Sequence, residues 1–129
     1  MRVVFDTNIF VSAFIIPGSL AEKAVLKIIK EEDILLLSKE VLDELLSTLS
    51  TKFSRDEEIS RVAVILSEMV EWVRPTLRMN ALKDEPDNRI LEYAVFGKAD
   101  IIVTGDKEML RLRKYEETKI VSLKAYLES

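Results

Sequence analysis

Short apolar runs that alternate with helical patterns are the feature that most constrains what this chain can fold into. The helical spacing of apolar residues is most regular over residues 59–73. Runs typical of buried strands lie at residues 3–5, 34–37 and 101–103, with a further candidate at residues 119–121. Strands that alternate with helices in this way predict an α/β fold with a central parallel sheet.

Length and composition predict a single globular domain. The chain has 129 residues, of which 48% are hydrophobic and 33% are charged. A chain of this size can bury a substantial core, but it is too short for two comfortable domains. We therefore expect one domain over residues 1–129.

The sequence also bears on where the protein resides. It contains no Cys, which is typical of a reducing compartment. The longest nearly unbroken apolar stretch, residues 9–16, is far shorter than the roughly 20 residues of a membrane-spanning helix. Asp6 and Asn8 would interrupt the apolar region of a signal peptide. We predict a cytoplasmic protein with no membrane association.

Two of the predicted strands end in a polar turn that carries an aspartate. Asp6 follows the first run, and Asp106 follows the third by way of Thr104 and Gly105. Ligands bind at the carboxyl edge of a parallel sheet, so we expect both carboxylates to lie close together at that edge. Capping of the next helix or turn is the plainer role for each aspartate.

Two further acids lie on predicted helices. Glu44 sits near the boundary of an apolar helical stripe, with Glu40 as an alternative one turn earlier. Asp87 stands in the first turn of a later helix, with Asp84 as the alternative. A solvated helix face or the helix dipole would account for either acid without any further function.

The residue types restrict the chemistry. The chain has no His and no Cys, which excludes a His general base, a Cys nucleophile and a Cys/His zinc site. Clustered carboxylates indicate a hard cation with oxygen ligands, such as Mg²⁺ or Mn²⁺. Such an ion keeps the carboxylates ionised, acidifies a water molecule and neutralises charge on a phosphate oxygen.

Four segments together resemble the PIN-domain nucleases, and in particular the PIN-family proteins known as toxin components of toxin–antitoxin pairs. The segments are FDTN at residues 5–8, SKEVLDEL at residues 38–45, DEPDN at residues 84–88 and ADIIVTGD at residues 99–106. The resemblance extends over nearly the whole chain. In one departure from the pattern, Pro86 precedes Asp87 where relatives often carry consecutive Asp residues.

The resemblance implies a small three-layer α/β/α sandwich with a central parallel sheet. It also implies a ribonuclease that depends on Mg²⁺ or Mn²⁺, although the carboxylates alone would suit DNA as well as RNA. The implied catalytic residues and metal ligands are Asp6, Glu44, Asp87 and Asp106, with Asn8 and Thr104 as supporting polar groups.

The resemblance further implies protein partners. Related toxins are masked by antitoxins that insert residues near the acidic pocket, and they often form dimers. We therefore expect an antitoxin protein and a homodimer. Four apolar residues are candidates for an interface, and they are equally compatible with the core: Phe10, Phe14, Ile15 and Ile16.

Contacts to nucleic acid have to be local. The net charge of −4 argues against a general nucleic-acid coat protein. Lys107 and Arg111, near Asp106, are candidates for contacts to an RNA backbone, together with Arg113 and Lys114. Solvated charge on a terminal helix is an equally plain interpretation of these residues.

Two other functions fit part of the pattern. A haloacid-dehalogenase-like phosphohydrolase also places an Asp after a strand, but it needs a second Asp two residues later, where this chain has Asn8. A catalytically silent PIN domain that binds RNA or a protein partner is the non-enzymatic alternative.

Overall fold

Six strands form one sheet at the centre of the computed structural model, which describes all 129 residues. The strands are β1 (Arg2–Phe5), β2 (Ile34–Leu37), β3 (Val70–Trp72), β4 (Ile101–Val103), β5 (Lys114–Tyr115) and β6 (Thr118–Val121). Their order across the sheet is β3-β2-β1-β4-β6-β5. Every neighbouring pair is parallel except β5 with β6, which is antiparallel. The predicted α/β fold with a largely parallel central sheet is confirmed.

Seven helices connect and flank these strands. They are α1 (Thr7–Ile15), α2 (Leu20–Lys30), α3 (Lys39–Ser50), α4 (Asp56–Met69), α5 (Glu85–Phe96), α6 (Lys107–Leu112) and α7 (Leu123–Glu128). Helix α5 packs against β1 and β2, whereas α2 packs against both α1 and α7. None of the seven is both long enough and apolar enough to cross a membrane by itself.

Side-chain caps fix where most of these helices begin. Asp6, Ser19, Ser38, Asp106 and Ser122 each accept a hydrogen bond from the backbone N–H three residues later. These bonds satisfy N–H groups that have no partner inside the helix. Four of the five caps stand near the carboxyl end of a strand, so strand, cap and helix form a continuous unit at that edge of the sheet.

The strand order creates a switch point between β1 and β4. From β1 the chain first adds β2 and β3 on one side, and it then crosses over to add β4 and β6 on the other side. The register of the central pair places Phe5 opposite Val103. Connections that leave in opposite directions open a crevice at the carboxyl ends of such a pair, which is where α/β proteins bind ligands.

The core is built from the central strands and the helix faces that cover them. The side chains of Val3, Val4 and Phe5 are fully buried, and so are the last three of β2, Leu35, Leu36 and Leu37. A strand buried on both faces lacks the alternation of an exposed strand. This explains why contiguous apolar runs identified the central strands in the sequence.

The structure corrects the prediction for residues 59–73. Helix α4 ends at Met69, and Val70 begins β3, which pairs in parallel with β2. The helical prediction was therefore wrong for residues 70–73. The backbone N–H of Val73 donates to the carbonyl oxygen of Leu37 at 2.9 Å. Pairing with the otherwise open edge of β2 outweighs the continued helical spacing, and β-branched Val and aromatic Trp suit a strand.

A steric prediction follows from the end of α5. At Gly97 an added Cβ would lie 2.8 Å from Leu36 Cδ1, 2.9 Å from Val73 Cγ2 and 2.9 Å from the Tyr93 carbonyl oxygen. We expect Gly97→Ala to lower the free energy of unfolding by about 1–3 kcal/mol through overpacking. Urea denaturation would measure this change. Gly105→Ala is the matched control, because its Cβ would meet nothing within 4 Å.

Candidate functional site

The crevice at the carboxyl edge of the sheet holds a cavity of about 240 Å³ rich in carboxylates. Five acids line it, and no Lys or Arg does: Asp6, Glu44, Asp84, Asp87 and Asp106. Each of the four sequence-predicted acids is among them. The four acids come from separate stretches of the chain, so the fold brings together residues that are distant in sequence.

Asp6 is the most deeply buried of these acids, with 5% of its surface exposed. One carboxylate oxygen accepts a hydrogen bond from Ile9 N at 3.0 Å, and the other accepts one from the Thr104 hydroxyl. Burial raises the pKa of Asp6 above its usual range, and these hydrogen bonds offset part of that rise. Asp6 therefore caps α1 and faces the cavity at the same time.

Thr104 connects the two aspartates that follow β1 and β4. Its hydroxyl donates to Asp6 and accepts a hydrogen bond from Asp106 N at 3.0 Å. Asp106 in turn caps α6 through Met109 N, which donates to Asp106 Oδ1 at 2.9 Å. The capping role and the place in the cavity are thus compatible, since one oxygen of Asp106 makes no hydrogen bond within the chain.

The structure distinguishes between the two glutamates of α3. Glu44 lines the cavity, and its pKa is raised by burial and by the nearby charges of Asp84 and Glu40. Glu40 points elsewhere and accepts hydrogen bonds from Arg78 at 3.1 and 3.2 Å. The geometry therefore favours Glu44 over Glu40 as a residue of the site.

Asp87 carries the most perturbed carboxyl of the cavity. Its pKa is raised to about 7 by burial first, and then by the charges of Asp84, Asp106, Asp6 and Glu108. This pattern requires the acids to lie near one another, because like charges that are close disfavour each other's ionised forms. Asp84 lines the same cavity, so the structure brings both Asp84 and Asp87 to the site.

Sequence reasoning missed two buried polar side chains on α5 that hold the preceding loop. Asn88 is 1% exposed and pairs with the backbone of Leu82 through both amide atoms, at 2.9 and 2.8 Å. Glu92 is 2% exposed and accepts from Met79 N at 2.8 Å; it also forms an ion pair with Arg89 at 2.9 Å. These contacts anchor the loop that ends at Asp84. In the sequence, the apolar residues next to Glu92 were a weak sign that this glutamate is buried.

Tyr93 is a third polar residue of α5 that the sequence did not single out. It is fully buried, and its hydroxyl donates to the carbonyl oxygen of Phe5 at 3.1 Å. Phe5 is the last residue of β1 and directly precedes Asp6. The hydrogen bond therefore ties α5, which carries Asp87, to the strand that presents Asp6.

The remaining predicted residues lie around this cavity. Asn8 is exposed and lines it. Lys107 and Arg111 line a second cavity of about 650 Å³ that shares Asp6, Asn8 and Asp106 with the first. Arg113 and Lys114 do not line either cavity. Among the proposed interface residues Phe10 is fully buried, whereas Ile16 is 53% exposed.

The chemistry of the five acids fits a hard divalent cation, but the positions of their side chains do not allow three of them to share one. All five provide the oxygen ligands that Mg²⁺ and Mn²⁺ prefer. As the side chains stand, however, no three of them converge closely enough to hold one ion. Mutual repulsion among carboxylates favours such a separation when no cation offsets it. Binding an ion therefore requires some of these side chains to rotate.

An α/β fold with carboxylates gathered at its switch point defines the class of protein, and comparison with known proteins gives the family. The PIN domain family model matches residues 2–108. Uncharacterized protein MJ1680 of Methanocaldococcus jannaschii is 32% identical over 132 aligned positions, which cover 96% of this chain and 84% of that protein. The chain belongs to the PIN domain family.

A solved structure shares the fold. The chain is similar to VapBC2 from Rickettsia felis, whose crystal structure has it bound to a DNA fragment from its promoter. The TM-score is 0.67 at 18% identity, and the match covers 95% of this chain and 98% of the other. Membership of the family makes this chain a PIN-type nuclease by class, and it gives no support to the dehalogenase-like alternative.

A pH-dependent prediction follows from Asp87. Because its folded pKa of about 7 exceeds the ordinary 3.8, the folded state loses stability as pH rises between these two values. Asp87→Asn removes this loss. Between roughly pH 5 and pH 8, we expect the free energy of unfolding of the variant to rise by about 1 kcal/mol relative to that of the wild type. This value is well below the one that the full pKa shift would give, because solvent screens a half-buried group. Denaturation at both pH values would measure the difference.

The matched control for this prediction is Asp43→Asn. Asp43 is exposed on α3 and does not line the cavity, so its variant should follow the wild type at both pH values. An Asp87→Asn variant that shows no relative gain at the higher pH would contradict the raised pKa of Asp87.

Proposed function

We propose that this chain is a divalent-metal-dependent ribonuclease that hydrolyses RNA phosphodiester bonds. The observation that carries the proposal is the convergence of Asp6, Glu44, Asp87 and Asp106 on one cavity at the switch point of a PIN fold. The chain has no His or Cys to supply another base or nucleophile. The proposed ion is Mg²⁺ or Mn²⁺, since PIN domains generally use divalent metal ions.

The four carboxylates have distinct parts in this proposal. Asp6 and Asp106 are the fixed members, because helix caps and the Thr104 hydroxyl hold them. Glu44 and Asp87 project from α3 and α5, and their carboxylates accept no hydrogen bond within the chain, so they are free to rotate toward a shared ion. A bound ion would acidify a water molecule and neutralise charge on the phosphate. Thr104 orients Asp6, and Asn8 offers an amide at the rim.

The toxin assignment is the finer part of the proposal. It is supported by the resemblance of the four sequence segments to PIN-family toxins and by the structural similarity to VapBC2. We propose that the chain acts in the cytoplasm as a single PIN domain, that it forms a homodimer, and that an antitoxin protein is its partner. The RNA substrate is supported only by the resemblance of the sequence segments, because carboxylates and a metal ion suit either nucleic acid.

One observation favours a second candidate, a catalytically silent PIN domain that binds RNA or protein. The carboxylates are not arranged to share an ion as they stand. Isothermal titration calorimetry separates the two functions: the nuclease requires Mg²⁺ or Mn²⁺ to bind, and this binding should weaken as pH falls below about 7, where Asp87 becomes protonated. A protein that binds neither ion would favour the silent domain.

Two glutamates one turn apart give the sharpest test of activity. We expect Glu44→Gln to reduce metal-dependent cleavage of single-stranded RNA by about 100-fold or more, because it removes a cavity carboxylate. Glu40→Gln is the matched control and should retain most of the activity, since Glu40 faces Arg78. Gel assays with RNA and with DNA of the same sequence would measure both variants and the substrate preference.

A double variant tests the proposal as a whole. Asp6→Asn combined with Asp106→Asn removes both fixed carboxylates while keeping side chains that can still cap a helix. Metal-dependent cleavage that survives in this variant would rule out the proposed site.

Expression in a bacterial host tests the toxin assignment. We expect the wild-type chain to arrest growth and the Asp6→Asn variant to be tolerated at the same protein level. Growth curves with immunoblots would measure this. Arrest by both proteins would show that toxicity does not come from the carboxylate site.

A further inference from the structure

The second cavity beside the acidic one differs from it in charge. It lies between α1 and α6, and its volume is about 650 Å³. Lys107 and Arg111, one turn apart on α6, form part of its lining, and Asn8 and Ser12, one turn apart on α1, form another part. Asp6 and Asp106 border both cavities. The two cations of the second cavity therefore lie directly beside the acidic cavity, in a lining that also contains Glu108.

Neither cation of this cavity is engaged by the protein. Lys107 and Arg111 form no ion pair, although Glu108 also lines the cavity. By contrast, Arg78 and Arg89, on the loop and helix beside the acidic cavity, are both paired with Glu92. Lys107 and Arg111 therefore remain available to an anion on the α6 side.

The polar side chains on the α1 side are also uncommitted. The Asn8 amide and the Ser12 hydroxyl make no hydrogen bond within the chain; only the backbone carbonyl oxygen of Ser12 accepts one, from the Ser19 hydroxyl at 3.3 Å. Both can donate to phosphate or sugar oxygens. The cavity thus combines two free cations with two free neutral donors.

A nucleic-acid strand meets an electrostatic obstacle at the acidic cavity. Five carboxylates with no lining cation repel a phosphate, and a bound divalent ion offsets only part of their charge. The phosphate one nucleotide further along the strand has to lie outside that cavity. Cations at that position add favourable, salt-dependent binding energy through counterion release.

We propose that the cavity between α1 and α6 is the binding site for the nucleotide adjacent to the cleaved bond, with Lys107 and Arg111 neutralising its backbone phosphate and Asn8 and Ser12 donating hydrogen bonds. This inference rests on the proposed nuclease function. The nucleotide site also sets the direction of the RNA strand, which leaves the acids on the α6 side and not on the side of α3 and α5.

The salt dependence of RNA binding tests this site separately from catalysis. Fluorescence anisotropy of a short labelled single-stranded RNA would be measured over a series of KCl concentrations, in Ca²⁺ buffer and with intact RNA verified on a gel. Each phosphate neutralised on a single strand contributes about 0.7 to the slope of log K against log salt. We expect Lys107→Gln with Arg111→Gln to reduce the slope by about 0.7, because both cations neutralise the same backbone phosphate.

Two matched variants control for charge and position. Lys30→Gln with Lys119→Gln makes the same change in net charge near the amino-terminal edge of the sheet, at the end of α2 and in β6, and it should leave the slope unchanged. Lys107→Arg with Arg111→Lys keeps both charges and should restore the wild-type slope. A Lys107→Gln, Arg111→Gln variant that matches the wild-type slope would overturn the inference.

The outcomes separate this inference from the proposed function. A wild-type protein that does not bind RNA under these conditions would contradict both. Binding with an unchanged slope in the α6 variant would contradict the nucleotide site alone. In the cleavage assay, loss of Lys107 and Arg111 should raise KM by about tenfold or more while kcat stays nearly constant, the pattern of lost uniform binding.

Discussion

The parallel pairing of β1 with β4 is the constraint on which the rest of the structure depends. It aligns Phe5 with Val103, so Asp6 and Thr104 leave the sheet side by side and the Thr104 hydroxyl reaches the Asp6 carboxylate. The chain extends the sheet away from this pair in both directions, which leaves an open crevice above it. Helices α3 and α5 begin at the same edge, and each carries an acid into the crevice.

The same geometry brings several carboxylates together at a site where burial already disfavours their ionised forms. Asp6 and Asp87 have raised pKa values chiefly because burial removes them from water. The free energy that this arrangement costs is offset by the apolar core beneath it, in which residues 3–5 of β1 and 35–37 of β2 are fully buried. A site that is unfavourable for folding and suited to a cation is typical of residues that serve function and not stability.

Sequence patterns predicted the central strands and the acids that follow them, because contiguous apolar runs and strand-end aspartates are local signals. The strand β3 was missed because its pairing with β2 is a tertiary effect on a segment with helical spacing. The apolar stripe already favoured Glu44 over Glu40, but no local signal predicted that Glu40 pairs with Arg78, which lies in an irregular loop. Likewise, nothing local marks Asn88 as a partner for the Leu82 backbone.

The irregular loop that ends at Asp84 is held in place differently from the strand ends that carry Asp6 and Asp106. Asp6 and Asp106 follow strands and cap helices, whereas Asp84 stands at the end of a segment with no regular structure. In this loop the Asn88 side chain provides the hydrogen bonds that a neighbouring strand would otherwise provide, because it pairs with both the N–H and the carbonyl oxygen of Leu82. Because backbone contacts anchor this loop as well as the strand ends, the distances between the carboxylates depend on side-chain torsions. Among the four predicted acids, Glu44 and Asp87 are the two whose carboxylates accept no hydrogen bond within the chain. In the proposed site, closure around an ion would therefore begin with rotamer changes at these two residues.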